Sequence, residues 1–109
     1  MTTGRRVHER YALELPVTLI HTSADGQSVE IRGKTSNVSL GGALVSVSDT
    51  IAFGSAVKVR VTLPPLKEQT EMPATVRWIA PGAVGVQFGS LRAKEVWALN
   101  QMFKDANPA

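Results

Sequence analysis

Val57-Lys58-Val59-Arg60-Val61-Thr62-Leu63 alternates apolar and polar side chains without a break and stops at Pro64-Pro65. A period of two sends successive side chains to opposite faces of a pleated strand, so this stretch reads as a β-strand buried on one side. The same period recurs in both directions. Upstream, Leu13, Leu15, Val17 and Leu19 alternate with Glu14, Pro16 and Thr18, where Pro16 points to an edge or a bulge. The polar run from Thr22 to Ser28 contains Asp25-Gly26 and turns the chain into a second strand carrying Val29, Ile31, Val38 and Leu40, so these two strands are expected to form a hairpin. Gly41-Gly42 breaks the pattern before the short apolar run Ala43-Leu44-Val45. Downstream, Met72, Ala74, Val76 and Trp78 form one alternating face, and Ala80-Pro81-Gly82 turns the chain into Val84, Val86 and Phe88.

From Leu91 to Phe103 the period changes. Val96, Leu99 and Met102/Phe103 recur at helical spacing among good helix formers, with Ser90 as the expected N-cap. Six short strands and one terminal helix predict an all-β fold: a six-stranded antiparallel β-barrel with one C-terminal α-helix, since closure removes exposed strand edges. The chain divides into an N-terminal arginine arm (1–10) expected to be flexible, the barrel with its helix (11–104) and a short tail (105–109).

Its 109 residues suit one core, and 43% apolar with 19% charged residues is the balance of a domain that folds by itself. No stretch approaches the roughly 18 to 20 apolar residues of a membrane span, and Met1-Thr2-Thr3-Gly4 leads into no signal-peptide core, so a cytoplasmic location is expected. The absence of cysteine removes disulfides and thiolate metal sites. Of the net charge of +3, Arg5, Arg6 and Arg10 against Glu9 place +2 in the first ten residues. That concentration points to a local anion-binding arm more than to a broad basic face tracking nucleic acid.

Two local patterns carry chemistry: Arg6-x-x-x-Arg10 before the first strand, and Asn37-x-Ser39-x-x-Gly42 at the end of the second. Either alone is ordinary, since seven arginines give chance pairs and Asn, Ser and Gly fill any turn. Together, in order and in a six-strand frame, they resemble the PilZ domain family, as do Val76-Arg77-Trp78-Ile79 and Gly85-Val86-Gln87-Phe88. The resemblance runs from Arg5 to about Phe103. It implies a non-enzymatic receptor for cyclic di-GMP whose ligand-binding residues are Arg6, Arg10, Asn37, Ser39 and Gly42, with Gly41 and Arg5 beside them. Cyclic di-GMP is then the ligand and no cofactor is expected; two histidines make a metal site unexpected, and a downstream protein partner is expected to read the ligand-induced ordering of an arm whose single apolar side chain after Met1 is Val7.

Elementary chemistry agrees with that implication. A guanidinium forks onto a phosphate or onto guanine O6 and N7, and cyclic di-GMP offers both. Asn37 and Ser39, two apart in a strand, are expected to share a face and meet one ligand edge. Gly42 allows a sharp turn and a close approach, and serves equally as a corner glycine of the barrel. Arg5 reads as a third phosphate contact or as a solvated neighbour. Trp78 falls in register with Val76 and is assigned to the core, with stacking on a guanine as the alternative. Trp97 sits one position off the helix's apolar stripe, as a half-exposed ring on a partner surface would.

Neither His8 nor His21 has an acid and a nucleophile to work with, and Ser39 lies in no nucleophile elbow, which argues against an enzyme. Two other functions stay open: a PilZ-fold protein-interaction adaptor that needs no nucleotide, and a small β-barrel binding RNA or single-stranded DNA. Six aromatic residues, mostly at core-like positions, weaken the second.

Overall fold

The structure, a computed structural model, describes residues 9–23 and 25–109. Its elements in chain order are β1 (Tyr11–Ala12), β2 (Pro16–Thr22), β3 (Ser28–Val38), β4 (Gly42–Val47), β5 (Ala56–Leu63), β6 (Glu68–Ala80), β7 (Ala83–Phe88), α1 (Ala93–Phe103) and β8 (Asn107–Pro108). The six longer strands close in the order β2-β5-β6-β7-β4-β3, with β3 returning to pair with β2, and every pairing is antiparallel. The expected barrel and terminal helix are both present. Among the described residues no helix is long and apolar enough to cross a membrane.

The alternating stretch that opens the sequence is β5, and its apolar positions Val57, Val59, Val61 and Leu63 are all buried. A six-stranded barrel is narrow, and its interior is filled largely by short β-branched side chains: Val17, Val45, Val76, Val84 and Val86 meet those of β5 inside. Helix α1 covers the end where β5 passes into β6, contributing Ala98, Leu99 and Phe103 to the same core.

Two expectations about boundaries are corrected. The first barrel strand begins at Pro16, not Leu13: Leu13 and Leu15 pack half-buried on the core, but their main chain is held by the buried Thr35. The Leu15 N–H donates to Thr35 Oγ1 at 2.8 Å, the Thr35 hydroxyl donates to the Leu13 carbonyl at 2.6 Å, and the Thr35 N–H donates to the Leu15 carbonyl at 2.9 Å. Proline at the first position of β2 then loses no ladder bond. The helix is capped at Arg92, not Ser90, because Glu95 supplies the cap from inside the first turn: its Oε1 accepts the Arg92 N–H at 2.9 Å.

The two ends of the described chain meet beside the barrel. Within the segment 105–109, β8 pairs with β1, setting Tyr11 opposite Pro108 and Ala12 opposite Asn107. Tyr11 also pairs with Val38 of β3 and stacks on Phe103 of α1, with ring centroids 4.3 Å apart and planes 14° from parallel. Trp97 stands half-exposed on the outer side of α1, as its position off the apolar stripe predicts.

Glu95 is 1% exposed. Its Oε2 accepts hydrogen bonds from the Thr70 hydroxyl and, at 2.8 Å, from the Arg92 guanidinium, which also reaches Thr70 Oγ1 at 2.6 Å. Burial pushes the Glu95 carboxyl up, but the bonds from Arg92 and Thr70 outweigh it and hold the group below the usual 4.5. A carboxyl whose pKa is lower folded than unfolded adds stability that is complete above the unfolded value and is lost as pH falls through the folded one. Urea unfolding should therefore show Glu95→Gln less stable than wild type by about 1 to 2 kcal/mol at neutral pH, the scale of a lost charged hydrogen bond, with the gap closing on acidification below about pH 4.

Gly42 has no positive φ; its constraint is contact, because a Cβ there would lie 2.0 Å from the Val86 carbonyl oxygen across the β4–β7 ladder. Backbone cannot yield that distance without parting two barrel strands. Gly42→Ala should lower stability by about 3 kcal/mol, the upper end of overpacking costs, readable as a midpoint shift at unchanged m-value.

Candidate functional site

Two single-residue bulges aim the site outward. In β3 the inward positions run Ile31, Gly33, Thr35, and strict alternation would send Asn37 into the core. The register shift between Thr35 and Asn37 inserts Ser36 and reverses the phase, so Val38 is buried and Asn37 faces out. In β6 the buried series Thr70, Met72, Ala74, Val76 meets the same device: Arg77 is the extra residue between Val76 and Trp78. Trp78 is therefore not a core residue. It is 50% exposed, and the error in assigning it inward came from carrying the period of two past a bulge.

Cross-strand pairing then lines up four residues on the outer face: Asn37 opposite Leu44, Leu44 opposite Gly85, and Gly85 opposite Trp78. Gly85 keeps the middle of this row low, since a Cβ there would meet Trp78 Cβ at 3.1 Å. Above the row lies a second one, in which Gly42 pairs with Gln87 and Gln87 with Thr75. The rows enclose two adjoining recesses that share Arg10, Trp78 and Gly85 as walls. One, of about 320 Å³, reaches to Ser39, Gly42 and Arg77, and the other, of about 340 Å³, reaches to Asn37 and Leu44. Each is at the lower end of the volumes of small-molecule sites.

Arg10 stands at the edge of both recesses, fixed at two points. Its guanidinium Nη1 donates to Asn37 Oδ1 at 2.9 Å, and its carbonyl accepts the Ala109 N–H at 2.9 Å. The 105–109 segment and the end of β3 together hold it there. Ser39 lies one residue past β3 and is 5% exposed. Its hydroxyl accepts the N–H groups of Gly41 at 3.0 Å and Gly42 at 3.2 Å, while its own N–H donates to the Gly42 carbonyl at 2.8 Å. Asn37 and Ser39 thus do not project side by side from one strand: Asn37 faces the recess, and Ser39 folds the glycine turn that forms its rim. Gly41 completes the rim by accepting the Phe88 N–H at 2.8 Å.

Of the residues expected from sequence, the structure brings Arg10, Asn37, Ser39, Gly41 and Gly42 to one place; Arg5 and Arg6 lie outside the described residues. Arg77, Gln87 and Leu44 are additions. Arg77 Nε donates to Gln87 Oε1 at 3.1 Å, which lays the guanidinium along the recess opposite Arg10. Among the described residues no carboxylate pairs with Arg10 or Arg77 and none lines either recess, so the walls are cationic and uncompensated. In the sequence Arg77 stands out only as part of the Val76-Arg77-Trp78-Ile79 stretch, and it becomes a wall residue because the bulge that turns Trp78 outward carries Arg77 with it.

Comparison with known proteins places this architecture. The family model of the PilZ domain matches residues 4–104. No curated protein matches in sequence. Among solved structures, the chain is similar to the PilZ domain of CeSA from a cellulose-synthesizing bacterium, at 22% identity over 87% of this chain and 94% of that one, with a TM-score of 0.64. It is similar to the Bacillus subtilis inhibitor of motility (MotI/DgrA), at 25% identity over 94% of this chain and 50% of that one, TM-score 0.70. It is also similar to the PilZ domain of YcgR from Escherichia coli, a structure with c-di-GMP, at 15% identity over 92% of each, TM-score 0.69. With the match extending from before the arginine pair to the end of the helix, the chain belongs to the PilZ domain family.

Proposed function

We propose that this protein is a non-enzymatic receptor for cyclic di-GMP, with the recess between Arg10 and Trp78 as its binding site. The observation that carries this reading is the row Asn37–Leu44–Gly85–Trp78, a low apolar shelf with an exposed indole at one end and an arginine–asparagine pair at the other. Each part suits one part of the ligand. The Trp78 ring offers a stacking face for a guanine, and Gly85 leaves the depth for a flat base to lie against the sheet. Arg10 has N–H groups left over after bonding Asn37, and these face a recess without carboxylates, where a phosphate is favoured. The Ser39-Leu40-Gly41-Gly42 turn forms the rim, with Ser39 acting through its shape. Membership of the PilZ family and the c-di-GMP in the YcgR PilZ domain support the choice of ligand.

Arg5 and Arg6, five and four residues before the anchored Arg10, complete the phosphate clamp by closing over the ligand in this reading. That closure presents a new surface to a downstream protein partner in the cytoplasm. Because Arg10 is tied to Ala109 and Asn37, it serves in this reading as the fixed base of the clamp.

Titration calorimetry should give a cyclic di-GMP affinity tighter than about 100 μM, the equivalent of roughly 5.5 kcal/mol, with GTP and linear pGpG binding far more weakly. Arg10→Ala should lose about 2 kcal/mol of binding with little change in melting temperature, and Trp78→Ala about 1 to 3 kcal/mol. Wild-type affinity in both variants would exclude the shelf as the site. Binding of oligonucleotides instead, falling steeply with salt, would identify a nucleic-acid module. For the arm, amide hydrogen exchange over residues 2–8 should slow when the site is saturated with cyclic di-GMP; unchanged rates would rule out closure as the signal.

A further inference from the structure

We infer that Arg77 is the residue that reads the guanine base at this site, through a bidentate contact to the O6/N7 edge of the base stacked on Trp78. The inference rests on the receptor reading above and goes beyond it by separating base recognition from phosphate binding.

The bulge in β6 sets Arg77 and Trp78 next to each other on the outer face of the barrel and leaves Arg77 out of the ladder. Both side chains line the same recess. A base lying flat on the indole has its edge, and not its face, toward the neighbouring residue, and the edge is where the hydrogen-bonding groups are. Gln87 sets the direction of approach: by taking the Nε–H at 3.1 Å it fixes the plane of the guanidinium and leaves the two terminal amino groups as a fork. The main chain of Gln87 is paired with Gly42 and Thr75 in the sheet, so the fork starts from two hydrogen-bonded strands and has less to order when it engages.

A guanidinium fork has five donors and no acceptor. It matches the paired acceptors O6 and N7 of guanine and meets a donor, the 6-amino group, on adenine. Phosphate binding falls to the opposite wall, where Arg10 stands on Asn37, so the two arginines divide the ligand between them. Arg77 has no carboxylate partner among the described residues that would hold it back from this contact.

The test is calorimetric titration of wild type, Arg77→Ala and Arg77→Lys with cyclic di-GMP and with cyclic di-AMP, which share the phosphate ring and differ in the base edge. Wild type should favour cyclic di-GMP by about 10- to 100-fold, from the one base whose edge the fork reads. Arg77→Ala should weaken cyclic di-GMP binding by about 10- to 100-fold while cyclic di-AMP binding shifts less than about threefold, and Arg77→Lys should recover only part of the loss because it keeps the charge without the fork. Arg77→Ala that binds cyclic di-GMP like wild type, or that loses both dinucleotides equally, would overturn the inference while leaving the receptor reading intact. Wild-type protein that binds neither dinucleotide would overturn both.

Discussion

Two strands of this barrel have to serve two faces within one length, and a single inserted residue in each makes that possible. Along β6, Met72, Ala74 and Val76 fill the core; along β3, Ile31 and Thr35 do. A strand of unbroken period would continue the same faces to its end and put Trp78 and Asn37 inside. The extra residues Arg77 and Ser36 reverse the phase where the core gives way to the site. The two bulged strands are not neighbours. β4 and β7 lie between them, and their unbroken registers set the width of the shelf at four strands, about 14 Å at the ordinary strand spacing. Remove either bulge and one end of the shelf turns inward, while a polar or oversized side chain enters a narrow core.

Glycine keeps that shelf usable. At Gly42 the adjacent strand comes so close that no Cβ fits, and at Gly85 a Cβ would press on the indole. The first requirement belongs to closure of the barrel and the second to the depth of the recess, although both glycines sit on the same face. This division explains why the glycine of the motif need not touch a ligand to be indispensable. Ser39 behaves likewise, spending its hydroxyl on the amides of Gly41 and Gly42.

The barrel itself is legible in the sequence because β2, β5, β6 and β7 each bury one face, and burial imposes the period of two. The reading fails where tertiary contacts supply what the local pattern lacks. Leu13 and Leu15 alternate like strand residues yet bond to the Thr35 side chain, a partner twenty residues away that no local pattern reveals. Arg92 caps α1 only because Thr70 and the buried Glu95 receive its guanidinium, so the better intrinsic cap at Ser90 is passed over. Arg10, Asn37 and Gly42 are visible as a motif. Val76-Arg77-Trp78-Ile79 is visible as a stretch of the resemblance, but its place in the site is not, since the phase reversal that exposes Arg77 and Trp78 depends on pairing with β7.

The anchoring of Arg10 bears on how a receptor of this kind trades affinity against response. An arginine already held by Asn37 and by the Ala109 amide loses little freedom when it takes a phosphate, so its contact should convert into affinity with little deduction. An arginine without such anchors would have to be ordered at the moment of binding, and the free energy spent there would be lost to affinity. What that expenditure gives in return is a difference between free and bound surfaces that a partner can detect. The same anchor ties the site to the helix: Tyr11, next in sequence to Arg10, pairs with β8 and stacks on Phe103 at the last turn of α1. Arg10 is thus braced through a strand pair and an aromatic contact against α1, whose outer side carries the half-exposed Trp97.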